Sequence, residues 1–182
     1  TNKKNMKNFY ALIVLSFLLI SLNTNAQQFT NTNVNIIGII DGGSVAGDFN
    51  GDGYMDFAMT GLDLSTGKDT TNIYLNTQFN SFTKATTNYK GLSSSSIDCG
   101  DYNNDGFLDI IVMGETSTNG IKSTLLYLND GNVDFILTTG LGITGLSKGE
   151  IKLIDLNNDG MSEILMSGED QDLNPQTIIY TT

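Results

Sequence analysis

Asp48, Asn50, Asp52 and Asp56 stand within GDFNGDGYMDFAMTG, residues 47–61. Like charges held this close repel one another, so something must offset them. A hard cation does so, because calcium takes six to eight oxygens and tolerates irregular geometry. Oxygens at positions 1, 3 and 5 of such a loop converge if the backbone curls. Glycine at position 6 permits that curl by accepting a positive φ. A carbonyl at position 7 and an acid at position 9 complete the set. The first candidate site is therefore Asp48, Asn50, Asp52, the Tyr54 carbonyl and Asp56. The spacing recurs twice. The second candidate is Asp101, Asn103, Asp105, the Phe107 carbonyl and Asp109. The third is Asp155, Asn157, Asp159, the Met161 carbonyl and Glu163.

Other ions suit these residues less well. Magnesium demands stricter octahedral geometry and keeps its waters. Zinc and copper favour imidazole or thiolate, and the chain has no His and one Cys. An EF-hand needs an acid at position 12 and flanking helices. Position 12 is Met59, Val112 or Met166, and the flanks read as strands. The metal-free alternative is three Asx-rich turns. Three copies of the same oxygens favour metal.

The elements that position these loops follow from a repeat. Asp48, Asp101 and Asp155 lie 53 and 54 residues apart. Gly38, Gly91 and Gly145 each precede that Asp by 10 residues, and Gly61, Gly114 and Gly168 each follow it by 13. Phe29, Phe82 and Phe135 keep step, as do Tyr74, Tyr127 and Tyr180. A fixed period of about 50 residues signals a repeat architecture. Each unit reads as four short strands. One enters the acidic loop (GSVAGD, SSIDCGD, EIKLID) and one leaves it (YMDFAMTG, FLDIIVMG, MSEILMSG). A third follows a polar loop (TNIYLN, STLLYLN, QTIIYT), and a fourth starts at the repeated Phe (FTKATT, FILTTG). Runs such as DIIVMG predict strands covered on both faces. Four strands per unit predict an all-β fold of propeller blades.

VAGDFNGDGYMDFAMTG and DCGDYNNDGFLDIIVMG resemble the FG-GAP repeat, also called the VCBS repeat, found in integrin-type and related bacterial propellers. The resemblance extends over about residues 28–182. It implies a partial β-propeller of about three blades, with calcium in the loop between the first two strands of each. Two positions depart from the pattern. Glu163 replaces the last Asp, and Ile154 precedes Asp155 where Gly47 and Gly100 precede the other two.

The N-terminus carries a different signal. Lys3, Lys4 and Lys7 precede the 13-residue apolar run YALIVLSFLLISL, and NTNAQ follows. That order predicts a secretory signal peptide, residues 1–26, cleaved after Ala26. The run is too short to span a bilayer, although a retained anchor is the alternative. The repeat region is then 27–182, in units of about 28–80, 81–133 and 134–182. FTNTNVNI (29–36) resembles a fourth strand placed before the first unit, and the third unit ends after its third strand at Thr182. This predicts that the chain is the N-terminal part of a longer propeller, truncated at its C-terminus.

The 182 residues carry a formal net charge of -11, which disfavours nucleic acid as a partner. Cys99 has no second cysteine to pair with and reads as a small buried side chain. The expected product is a secreted or cell-surface module that binds a glycan or extracellular protein and has no membrane span after cleavage. Its specificity would lie in loops 62–72, 115–124 and 169–177, whose plainer reading is solvated connection. A catalytic role has little support, since no His is available as a base and the paired carboxylates are committed to metal. The alternatives are the propeller portion of a polysaccharide-degrading enzyme or a structural spacer.

Overall fold

A computed structural model of the chain describes Asn31, Val34 and residues 36–78, 81–86 and 89–181. The expected signal peptide lies outside the described residues, and so does most of the strand expected at 29–36. Thr1–Asn33 and Val34–Thr182 are separate units, and the strands all belong to the second.

The strands appear where the apolar periodicity places them. They are β1 (Ile39–Gly47), β2 (Asp56–Asp63), β3 (Lys68–Asn76), β4 (Phe82–Lys84), β5 (Ser93–Gly100) and β6 (Asp109–Glu115). Then come β7 (Lys122–Asn129), β8 (Phe135–Thr138), β9 (Ser147–Ile154), β10 (Glu163–Glu169) and β11 (Pro175–Tyr180). No helix among the described residues is long and apolar enough to cross a membrane.

Three antiparallel sheets result, ordered β1-β2-β3-β4, β5-β6-β7-β8 and β9-β10-β11. Each of the first two takes its fourth strand from the repeated Phe. Asn76 pairs with Phe82, and Asn129 pairs with Phe135. The Phe strand that opens a sequence unit therefore completes the sheet before it.

Strand β6 explains the stacking of the sheets. Successive side chains of a strand point to opposite faces. Ile110 and Val112 enter a core shared with the first sheet, beside Ala58, Ile73 and Leu92. Ile111 and Met113 enter a second core with Ile151, Ile164 and Met166 of the third sheet. Both faces are dry, so the run is apolar throughout. Strand β5 lies against β1 on one side and β9 on the other, which sets the three acidic hairpins side by side.

Each inner strand begins with a β-bulge that the sequence does not announce. Asp41, Ser94 and Lys148 occupy the same repeat position and have φ of 51°, 45° and 55°. Left-handed backbone is uncommon for such residues and marks a locally imposed bend. The ladder register shifts beside each of them.

Candidate functional site

The acidic loops are the β1–β2, β5–β6 and β9–β10 hairpins. Position 6 has the expected left-handed backbone, with φ of 85° at Gly53, 92° at Gly106 and 90° at Gly160. Position 4 is left-handed as well. Gly51, Asn104 and Asn158 have φ of 70°, 57° and 61°. Glycine and asparagine are the residues that enter this region at least cost, which accounts for the residues found there.

The same hydrogen bonds close all three loops. Asp48 accepts the N–H of Asp52 at Oδ1 (3.1 Å) and that of Gly53 at Oδ2 (2.8 Å). Asp101 does the same with Asp105 and Gly106, at 3.0 and 2.8 Å. Asp155 repeats it with Asp159 and Gly160, at 3.2 and 2.9 Å. The position-5 carboxylate accepts the N–H of Tyr54, Phe107 or Met161. The position-3 amide donates Nδ2–H to that same acid, as Asn50 does to Asp52 at 3.0 Å. Side chains at positions 1, 3 and 5 thus turn inward over one backbone curl.

The acid at position 9 is placed differently. Asp56 is 1% exposed and accepts N–H bonds from Phe49 (3.0 Å) and Asn76 (2.7 Å). Asp109 accepts from Tyr102 and Asn129, both at 2.8 Å. Each carboxylate therefore ties its loop to the end of the third strand of its sheet. Burial pushes both carboxyls up from the ordinary value of 3.8. The backbone amides pull them back down, and the position-5 and position-1 acids of the same loop push them up further. Glu163 holds its own loop instead, accepting from Leu156 N–H at 2.8 Å and Asn157 Nδ2 at 3.1 Å. Its extra methylene lets it reach Asn157.

Residues 48–112 match the family described as the FG-GAP-like repeat. That stretch of the chain is an FG-GAP-like repeat. The match begins at the first acid of one loop and runs through a second complete loop into β6. The third loop lies beyond the matched residues and repeats the same bonds at positions 1, 3 and 5. Comparison with curated proteins finds no match.

The donor set of each acidic loop fits a hard cation. It is all oxygen, and every carboxylate oxygen that accepts one N–H keeps a second lone pair. Among the described residues no three acids stand together as a preformed cage. To put Asn50 Oδ1 and Asp52 on one ion, the Asn50–Asp52 contact has to open. Asp48, Asn50, Asp52, Asp56 and the Tyr54 carbonyl would hold it, with their equivalents in the other two loops. The ion would supply positive charge between mutually repelling carboxylates.

Sequence reasoning missed Asn76 and Asn129. Besides the backbone bond to Asp109, Asn129 donates Nδ2–H to the Phe49 carbonyl of the neighbouring loop at 2.8 Å. The available signal was the shared YLN ending of two third strands, 53 residues apart. The three polar loops proposed for specificity are linked to one another. Ser117 N–H donates to Asp69 Oδ2 at 2.8 Å, and Lys122 Nζ donates to the Asp170 carbonyl at 2.6 Å. Gln171 bonds Gly120 and accepts from Lys122 N–H.

Proposed function

We propose that the chain is an exported, non-catalytic binding module. Its three sheets act as blades of a partial β-propeller, and its acidic loops take up calcium. The observation that supports this reading is the threefold cradle in which Asp48, Asp101 and Asp155 each bend over the amides of positions 5 and 6. Metal-free turns have no need of three acids in every nine-residue loop, whereas a cation makes their charge favourable.

Calcium serves here to brace the hairpins rather than to carry out chemistry. An affinity of about 10⁻⁴ to 10⁻³ M suffices outside the cell. Binding to the folded chain alone stabilises it by about 2.7 kcal/mol per site at a hundredfold excess over Kd. The ligand is a glycan or an extracellular protein, contacted through the linked loops 62–72, 115–124 and 169–177. The test is thermal unfolding in chelator, in calcium and in magnesium. Calcium should raise Tm and magnesium should do so much less. Identical melts in chelator and calcium would overturn the cation assignment. A glycan array that stays blank would restrict the ligand to protein.

A further inference from the structure

The three acidic loops share one cradle, but the first alone has glycine after its position-3 asparagine. Asn50–Gly51 stands where the other loops have Asn103–Asn104 and Asn157–Asn158. The chain's other Asn–Gly pair is Asn119–Gly120, in the β6–β7 loop. An asparagine followed by glycine is open to attack by its own backbone, because no side chain on the next residue crowds the carboxamide. The dipeptide alone makes the two pairs equal, and the structure separates them.

Asn50 is held in the arrangement that such an attack needs. Its Oδ1 accepts the Asp52 N–H at 3.0 Å, an Asx turn whose ring closes over the intervening Gly51 nitrogen. The same bond aims an N–H at the oxygen on which negative charge grows when Cγ is attacked. Gly51 is exposed, with φ of 70°. Among the described residues no acceptor takes its N–H. Asn119 makes the same turn, its Oδ1 accepting the Ile121 N–H at 3.3 Å. Its neighbour differs. Gly120 is half-buried, and its N–H donates to the Thr116 carbonyl at 2.8 Å. Attack there must first break that bond. Asn103 and Asn157 accept at Oδ1 too, at 3.2 and 2.8 Å, but the side chains of Asn104 and Asn158 crowd the approach.

We propose that Asn50 is a site of spontaneous deamidation, set apart from every other asparagine of the loops by the free Gly51 N–H. The Gly51 nitrogen gives its proton to solvent base and bonds to Cγ. The Cγ–Nδ2 bond breaks, and Nδ2 takes a proton from water and leaves as ammonia. Water then opens the resulting succinimide at either carbonyl. One opening leaves aspartate, and the other leaves isoaspartate. Overall a water is consumed and an ammonia released, with no change of oxidation state. Either product undoes the first cradle. Aspartate replaces the 3.0 Å bond from Nδ2 to Asp52 with two facing carboxylates. Isoaspartate runs the backbone through Cβ and Cγ, which lengthens the curl between Asp48 and the Asp52 and Gly53 amides that it holds. The first loop therefore ages while the second and third keep their form.

Peptide mapping by mass spectrometry tests this on the full chain, aged at pH 8 in chelator. The samples are the folded chain, the chain unfolded in urea, and the folded Gly51→Asn variant, whose position 4 matches the other two loops. In the folded chain Asn50 should convert about fivefold faster than Asn119, the margin that one hydrogen bond sets. In urea the two should convert at similar rates, because both nitrogens are then free. Gly51→Asn should keep the melt of the unaltered chain and leave Asn50 intact as long as Asn103 and Asn157. Equal conversion of Asn50 and Asn119 in the folded chain overturns the proposal. So does an Asn50 that converts in urea and not in the folded chain, which would mean that the loop shields it. Conversion of Asn50 in Gly51→Asn at the unaltered rate overturns it as well. Chelator is present throughout, so the outcome does not depend on whether the acidic loops bind an ion.

Discussion

Asp109 and Asn129 are joined by a 2.8 Å hydrogen bond from the Asn129 N–H to Oδ1 of the acid, across 20 residues of chain. The other carboxylate oxygen takes the Tyr102 N–H. Both acceptors are buried, so a loop expected to serve a cation is also a clasp between the hairpin and the end of β7.

Asp109→Ala should therefore destabilise the fold even in chelator. It leaves two backbone amides without their acceptor, which costs about 3 kcal/mol. Asp105→Ala removes an exposed acid from the same loop and should cost about 1 kcal/mol in chelator. Urea midpoints at constant slope would measure both. Equal losses would show that position 9 has no separate anchoring role.

Acid should weaken a second set of turns. Asp63 accepts from Ser65 Oγ at 2.6 Å, from Thr66 Oγ1 at 2.9 Å and from Ser65 N–H at 2.8 Å. These bonds hold its carboxyl below the ordinary 3.8. Bonds from Asn174 and Gln176 do the same for Asp170. A lowered folded-state value means that the unfolded chain binds the proton more readily. The stability is then complete above about pH 4 and drains away as pH falls through the folded value. Asp63→Asn should lower Tm at neutral pH and flatten its decline below pH 4. A parallel decline in both proteins would contradict this.

Cys99 should be a poor nucleophile. Burial pushes its thiol up to about 11, the nearby Asp98 charge adds to the rise, and Lys152 opposes it. Its thiolate is then about a hundredfold scarcer at pH 8 than that of an ordinary cysteine, and alkylation slows to match. Iodoacetamide labelling of the folded chain at pH 8 checks this. Labelling at the rate of a free thiol would mean that the β1–β5 contact over Cys99 opens readily.

The sequence by itself determined the parts whose partners lie within a few residues. Asp48 reaches the amides of Asp52 and Gly53 by local curling, so the spacing of oxygens and glycines predicted each loop's form. The unbroken apolar run in DIIVMG likewise predicted a strand covered on both faces. Only the tertiary structure decided the longer reaches. Asn129 meets the Phe49 carbonyl 80 residues away, and Ser162 Oγ meets the Asp101 carbonyl. No local pattern encodes either bond, because each exists only once two sheets have stacked. The bulges at Asp41, Ser94 and Lys148 belong to the same class. Three dissimilar residues adopt one left-handed conformation, since packing of the inner strands, not side-chain preference, sets the backbone there.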